Sequence, residues 1–230
     1  MQANYSVAID GPSGAGKSTI ARAAARRFGF LYVDTGAIYR TVGLAVDRCG
    51  IGSGDEAAVK ALLPKLDIAL GYDNRGVQTE RLNGEDVTGL IRTPEISRRA
   101  SEVSAMPSVR AFLLDMQRSL ARSLSVIMDG RDIGTVVLPG ADLKIFLTAS
   151  PQRRAERRLA ELRASGCDIT LEQVLAEIEA RDERDSQRAA APLRRAEDAV
   201  EVDTSNLSLD ESIEAVCSLI SYKLGVKTVD

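Results

Sequence analysis

The chain has 230 residues, 44% hydrophobic and 27% charged, with a net charge of −3. That is the composition of a globular protein able to bury a sizeable core as one large domain with a small insert, and it excludes a disordered chain or a disulfide-stapled miniprotein. Three scattered cysteines, Cys49, Cys167 and Cys217, support neither a disulfide framework nor a zinc site, and the lack of any histidine excludes His-ligated metals and His-based catalysis.

Tyr5 to Asp10 is a short apolar run before a Gly-rich turn, and Lys17 to Phe28 is Ala-rich with Gly29 behind it, which predicts strand, loop and helix. Phe30 to Val33 reads as a strand, Gly36 to Arg48 as a helix closed by Gly50, and Asp55 opens another helix running to about Pro64. From Leu66 to Leu82 the pattern changes to a small antiparallel meander, with breaks at Asp73-Asn74-Arg75-Gly76 and Asn83-Gly84. Helices resume from Pro94 to about Ser123, and Ser125–Asp129 and Asp142–Thr148 are buried strands. Pro151–Arg163 and Thr170–Arg184 form a helical hairpin around a break at Ser165–Asp168, with Thr170 as N-cap. Ala199–Asp203 is a last strand and Ser208–Leu224 a closing helix. The alternation predicts an α/β fold with a doubly wound parallel sheet, an inserted subdomain at about 66–105 and a helical lid at about 151–188.

No run reaches the ~18 apolar residues of a membrane span, and the first residues lack an export-signal pattern, so a cytoplasmic, reducing location is expected. The slight negative charge weighs against a nucleic-acid polymer or an anionic membrane as partner.

Gly11-Pro12-Ser13-Gly14-Ala15-Gly16-Lys17-Ser18 matches G-x-x-x-x-G-K-[ST] at every fixed position, with a strand before it and a helix behind it. The glycines let successive N–H groups converge on a phosphate at a helix N-terminus. Lys17 adds charge toward the β and γ oxygens, and Ser18 offers a hydroxyl to Mg²⁺. Such a loop announces a nucleoside triphosphate without saying what becomes of it. A kinase, a switch GTPase, a mechanical ATPase and a nucleotide sensor all remain open, although the Asn-Lys-x-Asp segment of a GTPase is missing.

Asp34-Thr-Gly-Ala-Ile-Tyr-Arg40 lies at a strand end, where doubly wound sheets place ligands. Thr35 can cap, Tyr39 can stack and Arg40 can clamp phosphate; a plain cap with a core tyrosine fits equally well. Asp129-Gly-Arg-Asp132 follows an apolar strand, so Asp129 can reach Mg²⁺ through water while Arg131 and Asp132 project into the same crevice. Arg181, Asp185 and Arg188 recur at i, i+4 and i+7 and are expected on one helix face, opposite the apolar Leu175 and Ile178 positions, with Arg154, Arg157 and Arg158 crowding the facing helix. Solvated ion pairs explain most such runs, but cation-rich arms around a flexible tip also describe a lid over a moving phosphoryl group. A small-molecule kinase with an acceptor such as UMP, AMP or shikimate and a non-kinase nucleotide switch both remain open.

Together Ile9–Ser18, Asp34–Arg40, Ile91-Arg-Thr-Pro94, Asp129–Asp132 with Gly134-Thr135, Lys144–Leu147, and Arg181–Asp185 followed by Arg188 and Pro192-Leu193 resemble the bacterial cytidylate kinases of the nucleoside monophosphate kinase group, along essentially the whole chain. The resemblance implies phosphate transfer from ATP to CMP or dCMP with Mg²⁺, by a monomer. It implies that Lys17, Arg131 and Arg188 serve catalysis and that Gly11 to Ser18, Thr19 and Arg157 bind ATP. Ser101, Arg110 and Asp132 would read cytosine, Arg181 and Asp185 would hold the ribose, and Arg40, Arg131 and Arg188 the acceptor phosphate, with Thr35 and Tyr39 lining that pocket. The meander would be the monophosphate-binding insert. Thr35 stands where Ser is common in the family and keeps the hydroxyl.

Overall fold

The computed structural model describes residues 4–52, 54–74, 76–164 and 166–229. Arg75 of the expected meander turn and Ser165 of the expected hairpin tip lie outside these, as do residues 1–3. The chain divides into two compact units, one built from the residues up to Tyr32 and from Ser123 onward, the other from Val33–Arg122.

The first unit starts with β1 (Ser6–Asp10) and α1 (Lys17–Phe28). The helix begins at Gly16 (φ 86°) and stops at Gly29 (φ 66°), both in left-handed backbone that costs glycine no Cβ clash. β2 (Leu31–Asp34) follows. The second unit contains α2 (Thr35–Arg48), capped by Asp34 accepting from the Ala37 N–H, and α3 (Glu56–Leu62), capped by Asp55. The expected meander is present as β3 (Ile68–Tyr72), β4 (Gln78–Leu82) and β5 (Glu85–Asp86), all antiparallel. Then come α4 (Pro94–Ser104), with Thr93 as N-cap and Pro94 at its first turn, and α5 (Pro107–Ser123). α2 packs closely on α4: a Cβ on Gly43 would lie 3.0 Å from the Ala100 backbone nitrogen, so a larger residue would push the two helices apart.

The first unit resumes with β6 (Val126–Gly130), β7 (Leu143–Thr148), the hairpin α6 (Pro151–Ala164) and α7 (Leu171–Gln187), then β8 (Val200–Asp203) and α8 (Leu209–Leu224). Thr170 and Ser208 each close a capping box with the residue three further on. The central sheet has the order β2-β6-β1-β7-β8, and β1 runs parallel to both β6 and β7, as does β7 to β8. This is the doubly wound arrangement predicted. Between β6 and β7 lies a feature the sequence did not announce, a single π-helical turn over Ile133–Val137.

The core of the first unit joins Val7 and Ile9 of β1, Ile127 of β6 and Ile145 and Leu147 of β7 to Ile20, Ala24 and Phe28 of α1 and Val216 and Ile220 of α8. Each large aliphatic side chain fully buried there contributes about 1.5–3 kcal/mol. A smaller cluster of Ala155, Leu159, Val174 and Ile178 holds the hairpin together. No described helix is long and apolar enough to cross a membrane.

At Gly11 (φ 153°) a Cβ would sit 1.9 Å from the backbone carbonyl oxygen of Leu147. Strand β7 is locked by pairing on both sides and cannot retreat. Gly11→Ala is therefore expected to cost about 3 kcal/mol and to lower the thermal midpoint by roughly 6–12 °C, measured by calorimetry.

Candidate active site

The loop between β1 and α1 is held from below and from the side. Lys17, at the first position of α1, is buried, and its Nζ donates to the Pro12 carbonyl at 2.7 Å, closing the loop on itself. Arg154 of α6, 3% exposed, donates to the Ser13 carbonyl at 2.9 Å and the Ala149 carbonyl at 2.9 Å, and pairs with Asp182 of α7 at 2.6 Å. Gly14 leaves room for this arginine, since its Cβ would lie 3.3 Å from that of Arg154. The sequence placed Arg154 in a cationic arm; the structure makes it a buried brace of the phosphate loop.

Ser18 donates to Asp129 Oδ2 at 2.7 Å, and the Tyr32 hydroxyl donates to Asp129 Oδ1 at 3.1 Å. Ser18 and Asp129, which the sequence offers as oxygen groups for Mg²⁺, are thus bonded to each other, and Tyr32 is an unforeseen third member that orients the carboxylate. Asp10, also unforeseen, ends β1 and accepts from the N–H groups of Ile133 and Gly134 at 2.8 and 2.7 Å. Those are the first residues of the π-helical turn, so one carboxylate pins the segment that follows Arg131 and Asp132. Burial lifts the Asp10 carboxyl to about 6 despite the two backbone bonds. The only sequence signal was an acid at the end of an apolar strand.

Burial pushes Lys17 well below the ordinary ammonium value, and the charges of Arg131 and then Arg181 add to this while Asp129 and Asp10 oppose it. These groups therefore form one electrostatic cluster. Arg131 pairs with Asp185 at 2.8 Å, and Arg188 approaches Asp132 at 3.4 Å and donates to the Ala191 carbonyl. Arg188 does not continue the face of Arg181 and Asp185 as its spacing suggested. α7 ends at Gln187, Arg188 has ψ 137°, and the chain turns back so that the Leu193 N–H donates to the Asp185 carbonyl. The backbone reversal, with Ala191 at φ 49°, carries Arg188 to Asp132.

Arg157 is engaged by the segment after β8, donating to Thr204 Oγ1 at 3.2 Å and to the carbonyls of Thr204 and Leu207 at 2.7 and 3.4 Å. Arg158 pairs with Glu161 on an exposed face, the solvated pairing usual for such runs. Thr19 is exposed beside Ser18 on the first turn of α1.

In the second unit, Thr35 is the buried first residue of α2 and Asp34 is the cap. Arg40 pairs with the other oxygen of Asp34 at 2.9 Å. The Arg110 guanidinium lies 5.6 Å from the centre of the Tyr39 ring, within cation–π range, and donates to the Ser104 carbonyl at 3.2 Å. Ser104 in turn donates to the Ser101 carbonyl at 2.9 Å, so Tyr39, Ser101 and Arg110 share one neighbourhood between α2, α4 and α5. Gln78 and Glu80 of β4, which the sequence presents as ordinary strand residues, are buried beside Asp34, and Gln78 bonds its backbone at 2.8 Å.

A family model described as cytidylate kinase matches residues 7–222. A cytidylate kinase of Geobacter sulfurreducens is 50% identical over 214 residues, covering 93% of this chain and 91% of its own. Another from Caldicellulosiruptor bescii is 49% identical over 218 residues, covering 95% and 96%. In fold alone, the chain is similar to an uncharacterized protein from Eubacterium ventriosum, with a TM-score of 0.50, 12% identity and coverage of 95% of this chain and 99% of that one. With a braced phosphate loop, an acid against its serine and paired arginines and aspartates around it, the chain belongs to the cytidylate kinase family.

Proposed function

We infer that the chain is an ATP-dependent nucleoside monophosphate kinase that moves the γ-phosphoryl group of ATP to CMP or dCMP, giving ADP and CDP or dCDP. The observation that carries this reading is the juxtaposition of the phosphate loop with the Asp129–Asp132 turn, through the Ser18–Asp129 bond, in a chain of this family.

The transfer needs positioning and charge neutralisation more than covalent help. Backbone N–H groups of Gly14 to Ser18 cradle the β-phosphate, and Lys17 leaves the Pro12 carbonyl for phosphate oxygens. The negative charge of those oxygens relieves the repulsion from Arg131 and Arg181 that weakens the ammonium. The oxygens of Ser18 and Asp129 suit Mg²⁺, a hard ion that keeps several waters and binds chiefly through phosphates. Bound there, the ion would neutralise charge on the β and γ oxygens.

On the acceptor side, Asp132 accepts from the cytosine amino group with Arg110 and Ser101 as co-readers, and Arg40, Arg131 and Arg188 take the monophosphate. Arg181 and Asp185 hold the ribose. Thr35 and Tyr39 line the acceptor pocket, and Thr19 and Arg157 complete the ATP side. The pairs Arg131–Asp185 and Arg188–Asp132 keep these groups compensated before substrate arrives. All three cysteines are free, two of them exposed, which suits the reducing cytoplasm we propose as its location, with the chain acting as a monomer.

A coupled assay for ADP is expected to show turnover with CMP and dCMP far above that with water alone, and Lys17→Met to lower kcat roughly 10²–10³-fold. Equal ADP release with and without CMP would refute the assignment. Asp132→Asn is expected to narrow the preference for CMP over UMP, because the amide can donate to the uracil carbonyl. An unchanged ratio of kcat/KM values would remove Asp132 from base reading.

Burial alone would raise the Asp185 carboxyl, but the charge and hydrogen bond of Arg131, with Arg181 and Arg188 behind it, hold it below the ordinary value of 3.8. The stability this pairing contributes is present above pH 3.8 and lost as the pH falls through the lower, folded value. Between about pH 5 and 3 the thermal midpoint of the wild type should fall more steeply than that of Asp185→Asn, which cannot titrate. Parallel curves would show that Asp185 is not held as an ion.

A further inference from the structure

β4 alternates as a half-buried strand should, with Gln78, Glu80 and Leu82 facing inward and Arg81 outward. Two of the three inward residues are nevertheless polar: Gln78 is 3% exposed and Glu80 is 0% exposed. Burying such groups is unfavourable unless they are bonded, and leucine at both positions would satisfy the strand pattern at no such cost.

Gln78 recovers its desolvation through three bonds. Its carbonyl accepts from the Asp34 N–H at 2.8 Å, and its amide nitrogen donates to the Asp34 carbonyl at 3.2 Å and to Glu80 Oε1 at 2.8 Å. A side-chain amide thus pairs with both backbone groups of a residue 44 positions away, as a neighbouring strand would. The carboxylate of Glu80 fixes which end of the amide is the donor. Glu80 is itself tied to the turn after β5 through its N–H, which donates to Thr88 Oγ1 at 2.9 Å. Its second oxygen has no hydrogen-bond partner among the described residues.

Asp34 in turn has both side-chain oxygens committed, one to the Ala37 N–H at 2.8 Å and the other to Arg40 at 2.9 Å. Among the described residues the buried Arg40 Nε has no hydrogen-bond partner, a donor position that an anionic oxygen would fill. The chain of contacts therefore runs from Glu80 through Gln78 and Asp34 to an arginine with an unused donor.

We propose that Gln78 is a positioning residue for the acceptor phosphate, with Glu80 as its lock: by holding the backbone of Asp34, the amide sets where the Asp34–Arg40 pair presents its guanidinium. This rests on the reading of Arg40 as a phosphate clamp. The residue acts through Asp34 and makes no contact with the reacting atoms.

The test compares KM for CMP, KM for ATP and kcat in Gln78→Leu, Gln78→Asn, Glu80→Gln and Arg40→Lys, and in each Gln78 variant combined with Arg40→Lys. Gln78→Asn keeps an amide one methylene too short to span both backbone groups, and carries the test alone if the leucine variant does not fold. Both Gln78 variants are expected to raise KM for CMP about tenfold, with KM for ATP and kcat within about twofold of wild type. In the Arg40→Lys background the same changes should add less than about twofold, since the group they position is gone. Glu80→Gln can donate as well as accept, so the Gln78 amide is no longer fixed and KM for CMP should rise about threefold, and an unchanged KM would remove Glu80 as the lock. The proposal is overturned if folded Gln78 variants leave KM for CMP unchanged, if KM for ATP rises equally, or if their effect is the same in both backgrounds. If Arg40→Lys itself leaves KM for CMP unchanged, the clamp reading fails first and the proposal falls with it.

Discussion

Mutual repulsion among cations is the constraint around which the phosphate-loop unit is organised. Lys17 is buried, and Arg131 and Arg181 are close enough to weaken its hold on its proton. A cluster of that kind opposes its own folding unless acids are interleaved with it. The structure supplies Asp129 against Ser18 and Tyr32, Asp185 against Arg131 and Asp132 against Arg188, each in a bonded position. On the function proposed above, nucleotide phosphates would share that neutralising role with the acids. This is why the acids and arginines occur together in the same short segments.

Much of the fold was legible because its boundaries are chemical and local. Gly29, Asp55, Thr93, Thr170 and Ser208 stop or start helices by satisfying backbone groups within three or four residues of themselves, and each does so where the sequence pattern predicts or allows it. The apolar runs of β1, β6 and β7 could be read as buried strands for the same reason: every second or every successive residue enters one core. The phosphate loop was legible because it is contiguous.

What escaped the sequence depends on partners far along the chain. The π-helical turn at Ile133–Val137 is pinned by Asp10, 123 residues earlier, and no local pattern encodes that. Arg154 looks like its exposed neighbours in a cationic run, yet it is buried because Ser13 and Asp182 supply acceptors on two sides. Arg188 kept the spacing of a helix face but left the helix, since the bond from Leu193 to Asp185 favours a reversed backbone over another turn. Gln78 and Glu80 occupy positions where alternation predicts apolar residues, and such a departure from pattern marks a position whose residue is chosen for something other than packing.

Arg154 has a further consequence, which concerns when order is acquired. A loop with glycines at 11, 14 and 16 begins with the largest conformational freedom a backbone can have. Fixing one residue costs about 1–2 kcal/mol, a cost that, if met on ligand binding, would be subtracted from affinity. Here the Ser13 carbonyl is tied to Arg154 and the Gly11 backbone is wedged against Leu147, so the loop is ordered when the protein folds. The nucleotide meets a mould that has already set.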